Sequence, residues 1–370
     1  GAFMSAGYNL LTTDDCFATD PTDVVNTDPL LAAPDAQGIR ALQAGSPAID
    51  AGAVGLQNLM RPFDTLPCGY RDVRGLGRPQ DGNLDGTYEC DIGVYEVQGG
   101  ADIGAPQSAL YFDPSRNGEG TSVEILPGNL AFVAQFTYQM DGSGPAWFAG
   151  VGEVVGNSVV IKTMQQPQGG VFGAGFDAAA ITRPVAGSTS LVFSSCDATG
   201  SSVSQGAGVQ SFQAGNEADF EDVQVDAVRL TTVVDCQSNA GARSGRSGSF
   251  FSPARDGEGI IVEWLTDGTV VIIWYTYDPD GNQFWMISGE ATVSGNAVSA
   301  SMLYPAQSTA FGSQFDPGQI ELEPWGTVTL TYNPGCNSLS FDYASTVNGF
   351  GSGQYDYSRL TTLDGTTCDL

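Results

Sequence analysis

Between residues 259 and 360 apolar and polar positions fall into short runs broken by turn residues. Gly259 to Thr266 predicts a strand, Asp267-Gly268 a two-residue hairpin turn, and Thr269 to Tyr277 a second strand. Asp278-Pro-Asp-Gly281 turns the chain into a strand over Gln283 to Glu290, and Ser294-Gly-Asn296 turns it again into Ala297 to Tyr304. Three more strands are expected around Thr327 to Tyr332, Leu339 to Tyr343 and Gly353 to Leu360. About eight strands in roughly 115 residues fit a small up-and-down barrel or a sandwich. On the Thr269 to Tyr277 strand, Trp274 and Tyr275 must face opposite sides.

The same pattern occurs earlier in the chain. Phe112-Asp-Pro-Ser-Arg-Asn-Gly-Glu-Gly120 returns as Phe251-Ser-Pro-Ala-Arg-Asp-Gly-Glu-Gly259, at an offset of 139 residues. Glu124 then matches Glu263, Thr137-Tyr138 matches Thr276-Tyr277, and Phe172-Gly173 matches Phe311-Gly312. Each copy closes on Arg-Leu-Thr-Thr, at Arg229 and at Arg359. A self-match of this length is a duplicated domain. We assign residues 108–236 to the first copy and 249–370 to the second, with Gly/Ser-rich linkers at 97–107 and 237–248.

Residues 1–98 carry a different pattern of short apolar pieces between Asp-rich and Pro-rich turns. The order Gly-Tyr-Asn-Leu10, Asp-Pro-Leu-Leu31, Gly45-Ser-Pro-Ala-Ile-Asp-Ala-Gly52, Asp72-x-Arg74-Gly, Arg78-Pro and Cys90-Asp-Ile-Gly-x-Tyr-Glu96 resembles the C-terminal end of bacterial right-handed parallel β-helix proteins, often adhesin-like. That resemblance implies the last coils and cap of such a helix. Asp50, Asp72, Arg74, Arg78 and Asp91 would form a polar network over its open edge. The repeats resemble a tandem module at the C-termini of secreted proteobacterial proteins, which implies an extracellular setting and no assigned chemistry. The expected fold is therefore all-β: terminal β-helix coils followed by two antiparallel barrels or sandwiches.

Composition narrows the chemistry. The chain has 13 basic and 42 acidic residues, a net charge of -29, which repels nucleic acid and anionic membrane surfaces. No run is apolar enough to insert into a membrane. So acidic a surface stays hydrated in salt and fits a marine source. There is no histidine, which excludes Ser-His-Asp and Cys-His catalysis and histidine-ligated metals. Cys196 with Cys236 and Cys336 with Cys368 fall at equivalent places in the repeats and predict duplicated disulfides, with Cys68 and Cys90 as a third pair. Cys16 is then left for a partner upstream, in a longer secreted protein of which this chain is a piece.

Three candidate sites stand out. Asp81, Asn83 and Asp85 alternate before Gly86, with Glu89 and Asp91 nearby, which reads either as a calcium loop or as a plain turn. Arg116 and Arg255 sit three residues before Glu119 and Glu258, which predicts structural ion pairs; the competing reading makes the glutamates ligand-binding or catalytic carboxylates. Trp264, Trp274, Trp285 and Trp325, with Tyr275 and Tyr277, form either core and interface or an exposed patch for stacking on sugars. No complete catalytic constellation emerges. The functional expectation is a secreted or cell-surface attachment protein of a Gram-negative bacterium, contacting polysaccharide or assembling with itself. The alternatives are the non-catalytic tail of a polysaccharide-degrading β-helix enzyme and a subunit of an extracellular filament.

Overall fold

The computed structural model describes residues 5, 7–13, 20–35, 37–52, 72–74, 78, 80, 82–83, 89–97, 103–193, 208–214, 220, 222–236 and 240–370. The chain divides into two compact units. One joins Gly1–Ile103 with Val155–Val160 and Ser190–Ser195; the other joins Gly104–Val154, Ile161–Thr189 and Cys196–Leu370. Both sequence repeats contribute most of their strands to this second unit, so the duplicated modules pack as one body.

Within residues 1–103 the described residues make only isolated bridges: Leu10 with Val24 in parallel, and Leu31 with Leu42 and Gln80 with Glu89 antiparallel. Coils of a parallel β-helix are not among them. Side chains rather than a strand ladder hold these loops. Glu96 sits at their centre. Its carboxylate accepts from Arg78 Nε at 2.8 Å, from the Gln80 amide at 2.8 Å and from the Asp91 amide at 2.9 Å. Arg74 Nε donates to Asp72 at 2.7 Å, and the Asp50 amide donates to Asp91 at 2.9 Å. Burial pushes the Glu96 carboxyl up to about 7. The five-residue network read from the sequence is present, but it is organised around a sixth residue.

The repeats are antiparallel barrels. The first has β1 (Ala109–Phe112), β2 (Gly120–Leu126), β3 (Leu130–Tyr138), β4 (Pro145–Val155), β5 (Ser158–Gln165), β6 (Val185–Phe193), β7 (Gly208–Ala214) and β8 (Val223–Arg229). The second has β9 (Gly248–Phe251), β10 (Gly259–Trp264), β11 (Val270–Tyr277), β12 (Gln283–Ser294), β13 (Ala297–Gln307), β14 (Glu321–Tyr332), β15 (Ser338–Ser345) and β16 (Ser352–Arg359). Strands neighbour one another in sequence order, with β8 pairing back onto β1 and β16 onto β9. The barrel alternative is the one realised.

Hydrophobic patterning explains which faces meet. β13 alternates buried Val298, Ala300 and Met302 with exposed Ser299 and Ser301, as a strand with one wet face must. β11 has no wet face. Ile272 and Trp274 belong to the core of the second barrel, while Ile273, Tyr275 and Tyr277 pack with Leu110, Phe136 and Trp147 of the first repeat. A continuous apolar run on an antiparallel strand therefore marks the joint between barrels.

Each barrel is also closed by a loop of the other. Phe172 from the first repeat packs against Trp274, Trp325 and Phe350, with ring centroids 5.6, 6.3 and 4.7 Å away. Its repeat equivalent Phe311 packs against Phe148, Phe212 and Phe220 of the first barrel at 6.3, 5.6 and 5.3 Å. The exchange is reciprocal.

Candidate functional site

The Arg-x-Gly-Glu-Gly motifs sit at this joint. Asp113 takes the Ser115 amide at 2.8 Å and caps a short 3-10 turn over Pro114–Arg116, which sets the arginine three residues before the glutamate. Arg116 pairs with Glu119 and Arg255 with Glu258. The second oxygen of each carboxylate accepts the hydroxyl of Thr137 or Thr276, both at 2.6 Å. Burial pushes both carboxyls up, opposed by the adjacent guanidinium.

What the motif alone did not show is where each arginine goes next. Arg116 Nη1 donates to the Gly312 carbonyl at 3.1 Å, and Arg255 Nη1 donates to the Gly173 carbonyl at 2.8 Å. Each guanidinium lies over a ring of the other repeat, Phe315 at 4.2 Å and Phe176 at 4.3 Å. The motif glycines complete the joint. Gly118 (φ 108) and Gly257 (φ 120) are left-handed, and a side chain there would strike Ile320 or Ile181 of the opposite copy.

A second reciprocal pair lies deeper. Glu124 accepts from Ser249 Oγ at 2.8 Å and from the Thr361 hydroxyl, both in the second repeat. Glu263 accepts from Thr231 Oγ1 of the first repeat at 2.5 Å. Burial pushes Glu124 up to about 7 and Glu263 up to about 8, the latter also raised by the Glu124 charge. Among the described residues Glu119 and Glu124 share no hydrogen-bond partner.

The aromatic residues fall on the core side of the alternatives. Trp264, Trp274, Trp285 and Trp325 are at most 2% exposed, Tyr277 is 0% and Tyr275 is 5% exposed. They present no open face for a sugar ring, which corrects the ligand-binding reading of these six residues. β11 is covered on both sides where it carries Trp274, Tyr275 and Tyr277, while Trp325 is a buried position of β14 that follows four exposed ones. Trp285 Nε1 donates to the Thr137 carbonyl at 2.9 Å, and Trp147 Nε1 to the Thr276 carbonyl at 3.3 Å, so both indoles cross the joint. Trp147 faces Phe136 on its neighbouring strand as Trp285 faces Tyr275, so it is the structural equivalent of Trp285. The first turn, Gln139 to Gly144, is one residue longer than Asp278 to Asn282, which hides that match in a fixed-offset comparison.

Asp81 and Asp85 lie outside the described residues, as do Cys16, Cys68 and Cys196. Asp91 already takes two amides, from Asp50 and from Val97. Asn83 donates its amide to Asp50 at 2.7 Å, and Glu89 bridges Gln80. Among the described residues no group of three or more His, Cys, Asp or Glu is arranged to hold a metal ion. Cys336 is bonded to Cys368, while Cys90 and Cys236 are each disulfide-bonded.

Two cavities open beside the joint. One of about 460 Å³ runs between the barrels, lined by Trp147, Phe250, Ile261 and Tyr275, with the Arg183–Asp256 ion pair (2.8 Å) beside them. The other, about 520 Å³, is lined by Gln139, Asp141, Ser143, Gln166, Gln168 and Phe220, with Met140, Pro184, Val185 and Ala186 around them. No protein-family model matches the chain, and no curated protein sequence matches it.

Proposed function

We propose that this chain is an interaction region of a secreted or cell-surface bacterial protein, its paired barrels serving as a rigid, non-enzymatic module. The observation that carries this reading is the use made of the duplicated carboxylates. Glu119 and Glu258 are each held by an arginine and a threonine, and Glu124 and Glu263 by hydroxyls of the opposite repeat. Duplication here has multiplied the contacts that join two barrels. A duplicated catalytic site would instead keep a carboxylate free beside a substrate.

Disulfide bonding at Cys90, Cys236 and Cys336–Cys368 supports an oxidising compartment. The charge of -29 supports a hydrated extracellular surface over one bound to nucleic acid. The test incubates the purified chain with a panel of extracellular polysaccharides and with the outer surface of Gram-negative cells. Retention without new reducing ends is the expected result. Release of reducing or unsaturated ends would make the chain part of a polysaccharide-degrading enzyme, and absence of retention on every surface would sink attachment.

A further inference from the structure

Duplication provides an internal control: an arrangement that both copies keep is scaffold, and one that a single copy carries is free to serve another purpose. The 520 Å³ cavity of the first repeat belongs to the second class. Gln139, Gln166 and Gln168 line it, and the last two extend a row of amide side chains anchored behind the wall on Gln283 of the second repeat. Gln283 Nε2 donates to the carbonyls of Trp147 at 2.9 Å and Pro167 at 3.0 Å, which fixes that side chain. Gln166 Nε2 then donates to Gln283 Oε1 at 3.0 Å, and Gln168 Nε2 donates to Gln166 Oε1 at 3.0 Å. In the second repeat Pro305 stands where the first has Gln166 and Asp278 where it has Gln139; Gln168 and Asp141 are matched by Gln307 and Asp280, but there β13 runs on to Gln307, whose side-chain amide donates to Glu321, so the row of amides is not repeated.

We propose that this cavity binds a neutral oligosaccharide, a reading that rests on the extracellular interaction role above. A sugar hydroxyl both donates and accepts, and a planar amide does the same in a fixed geometry. Gln166, 5% exposed, is held by its neighbours, and exposed Gln168 uses its NH2 on Gln166 and keeps its carbonyl oxygen for a ligand. Asp141 adds a carboxylate that its hydrogen bonds with Ser143 hold below the usual range, so it stays an acceptor. Phe220 supplies an apolar wall, braced edge-on by Phe148 at 4.8 Å. The volume lies within the usual range of ligand sites, about 300–1,000 Å³.

Charge decides the class of sugar. Among the described residues no cationic side chain lines the cavity, Asp141 is anionic, and the chain carries -29. A polyuronate or sulfated glycan would be repelled, whereas a neutral chain meets no such field.

Calorimetric titration of the full chain with cello-, manno- and laminari-hexaose tests this, with alginate and polygalacturonate hexamers as the anionic arm. At least one neutral hexamer should bind with a sub-millimolar Kd. Gln168→Ala and Asp141→Ala, both exposed positions, should each weaken it at least tenfold with an unchanged melting temperature. No neutral binding, stronger anionic binding, or variants that bind as the parent does would each overturn the proposal. Binding lost in the variants but accompanied by new reducing ends would support this site and sink the non-enzymatic reading instead.

Discussion

Phe172 leaves its own repeat and sets its ring 5.6 Å from that of Trp274, inside the other barrel. Phe311 returns the exchange among Phe148, Phe212 and Phe220. Neither barrel therefore owns a complete core. We predict that residues 104–236 and 240–370, produced separately, will not be stable monomers. Each should be partly unfolded or pair with a second copy of itself, because the joint is near-symmetric. Mixing them should give one 1:1 species by light scattering. Two monomeric halves melting as cooperatively as the full chain would remove the interlock from the account of stability.

The two classes of buried glutamate should respond oppositely to amidation. Glu258→Gln leaves Arg255 buried without its counter-charge, and breaking a buried pair costs about 3–5 kcal/mol. The side chains of Arg255 and Glu258 are 11% and 0% exposed, so screening does little to soften that loss. Burial biases both carboxyls toward the neutral form, but Glu124 is held by hydroxyls rather than by an arginine, and Glu124→Gln keeps one oxygen to accept from Ser249 or Thr361. It should be close to neutral in stability, or stabilising, at pH 8. Urea denaturation of the two variants, read side by side, decides the point. Equal losses in both would mean that the Arg255 pair has no special role.

The same carboxyls give the chain an unusual stability profile. The usual Glu value is 4.5, and the folded-state values of Glu124 and Glu263 lie near 7 and 8. Raised acids favour the fold when protonated, so their contribution is complete below about pH 4.5 and is lost as pH rises through 7 to 8. Arg359 opposes the shift at Glu124 and Arg229 that at Glu263, without reversing either. Each proton released across this window costs about 1.4 kcal/mol per pH unit. Unfolding free energy should therefore fall between pH 5 and pH 8 at constant salt. Glu124→Gln/Glu263→Gln should flatten that slope; an unchanged slope would assign the effect to surface charge.

Much of the barrel was legible because turn chemistry is local. The Asp267-Gly268 hairpin and the Asp278-Pro-Asp-Gly281 turn lie between β10, β11 and β12 as expected. β14 begins at Glu321, six residues before the Thr327 expected, because Pro324 and Gly326 disguise a strand whose register shifts where Leu303 faces Pro324. The short β9 was also missed, since four residues give too little pattern to read. The Arg–Glu pairs were visible in their three-residue spacing. Their reach across the joint was not, because Gly312 lies 196 residues from Arg116 and only the tertiary fold brings them together. One signal was available: the paired glycines and the doubly apolar strands of both copies already marked a shared, buried face.

Reduction supplies the last test, because the Cys336–Cys368 bond ties the β14–β15 turn to the C-terminus across a separation of 32 residues. Closing a loop of that size removes unfolded-state entropy worth about 3–4 kcal/mol in the chain-entropy account. The folded ends it joins also meet through the Gly335 amide, which donates to the Leu370 carbonyl at 3.2 Å, and through Arg246 on Asp369 at 2.6 Å. Those contacts survive reduction, so the native barrel should persist while its unfolding midpoint drops. Cys336→Ser/Cys368→Ser isolates this bond from those at Cys90 and Cys236. We expect that variant to lose about 3–4 kcal/mol, with unchanged near-ultraviolet circular dichroism at 25 °C. A variant as stable as the parent in denaturant would show that the contacts of Arg246 and Gly335 already close the barrel, leaving the bond no role in its stability.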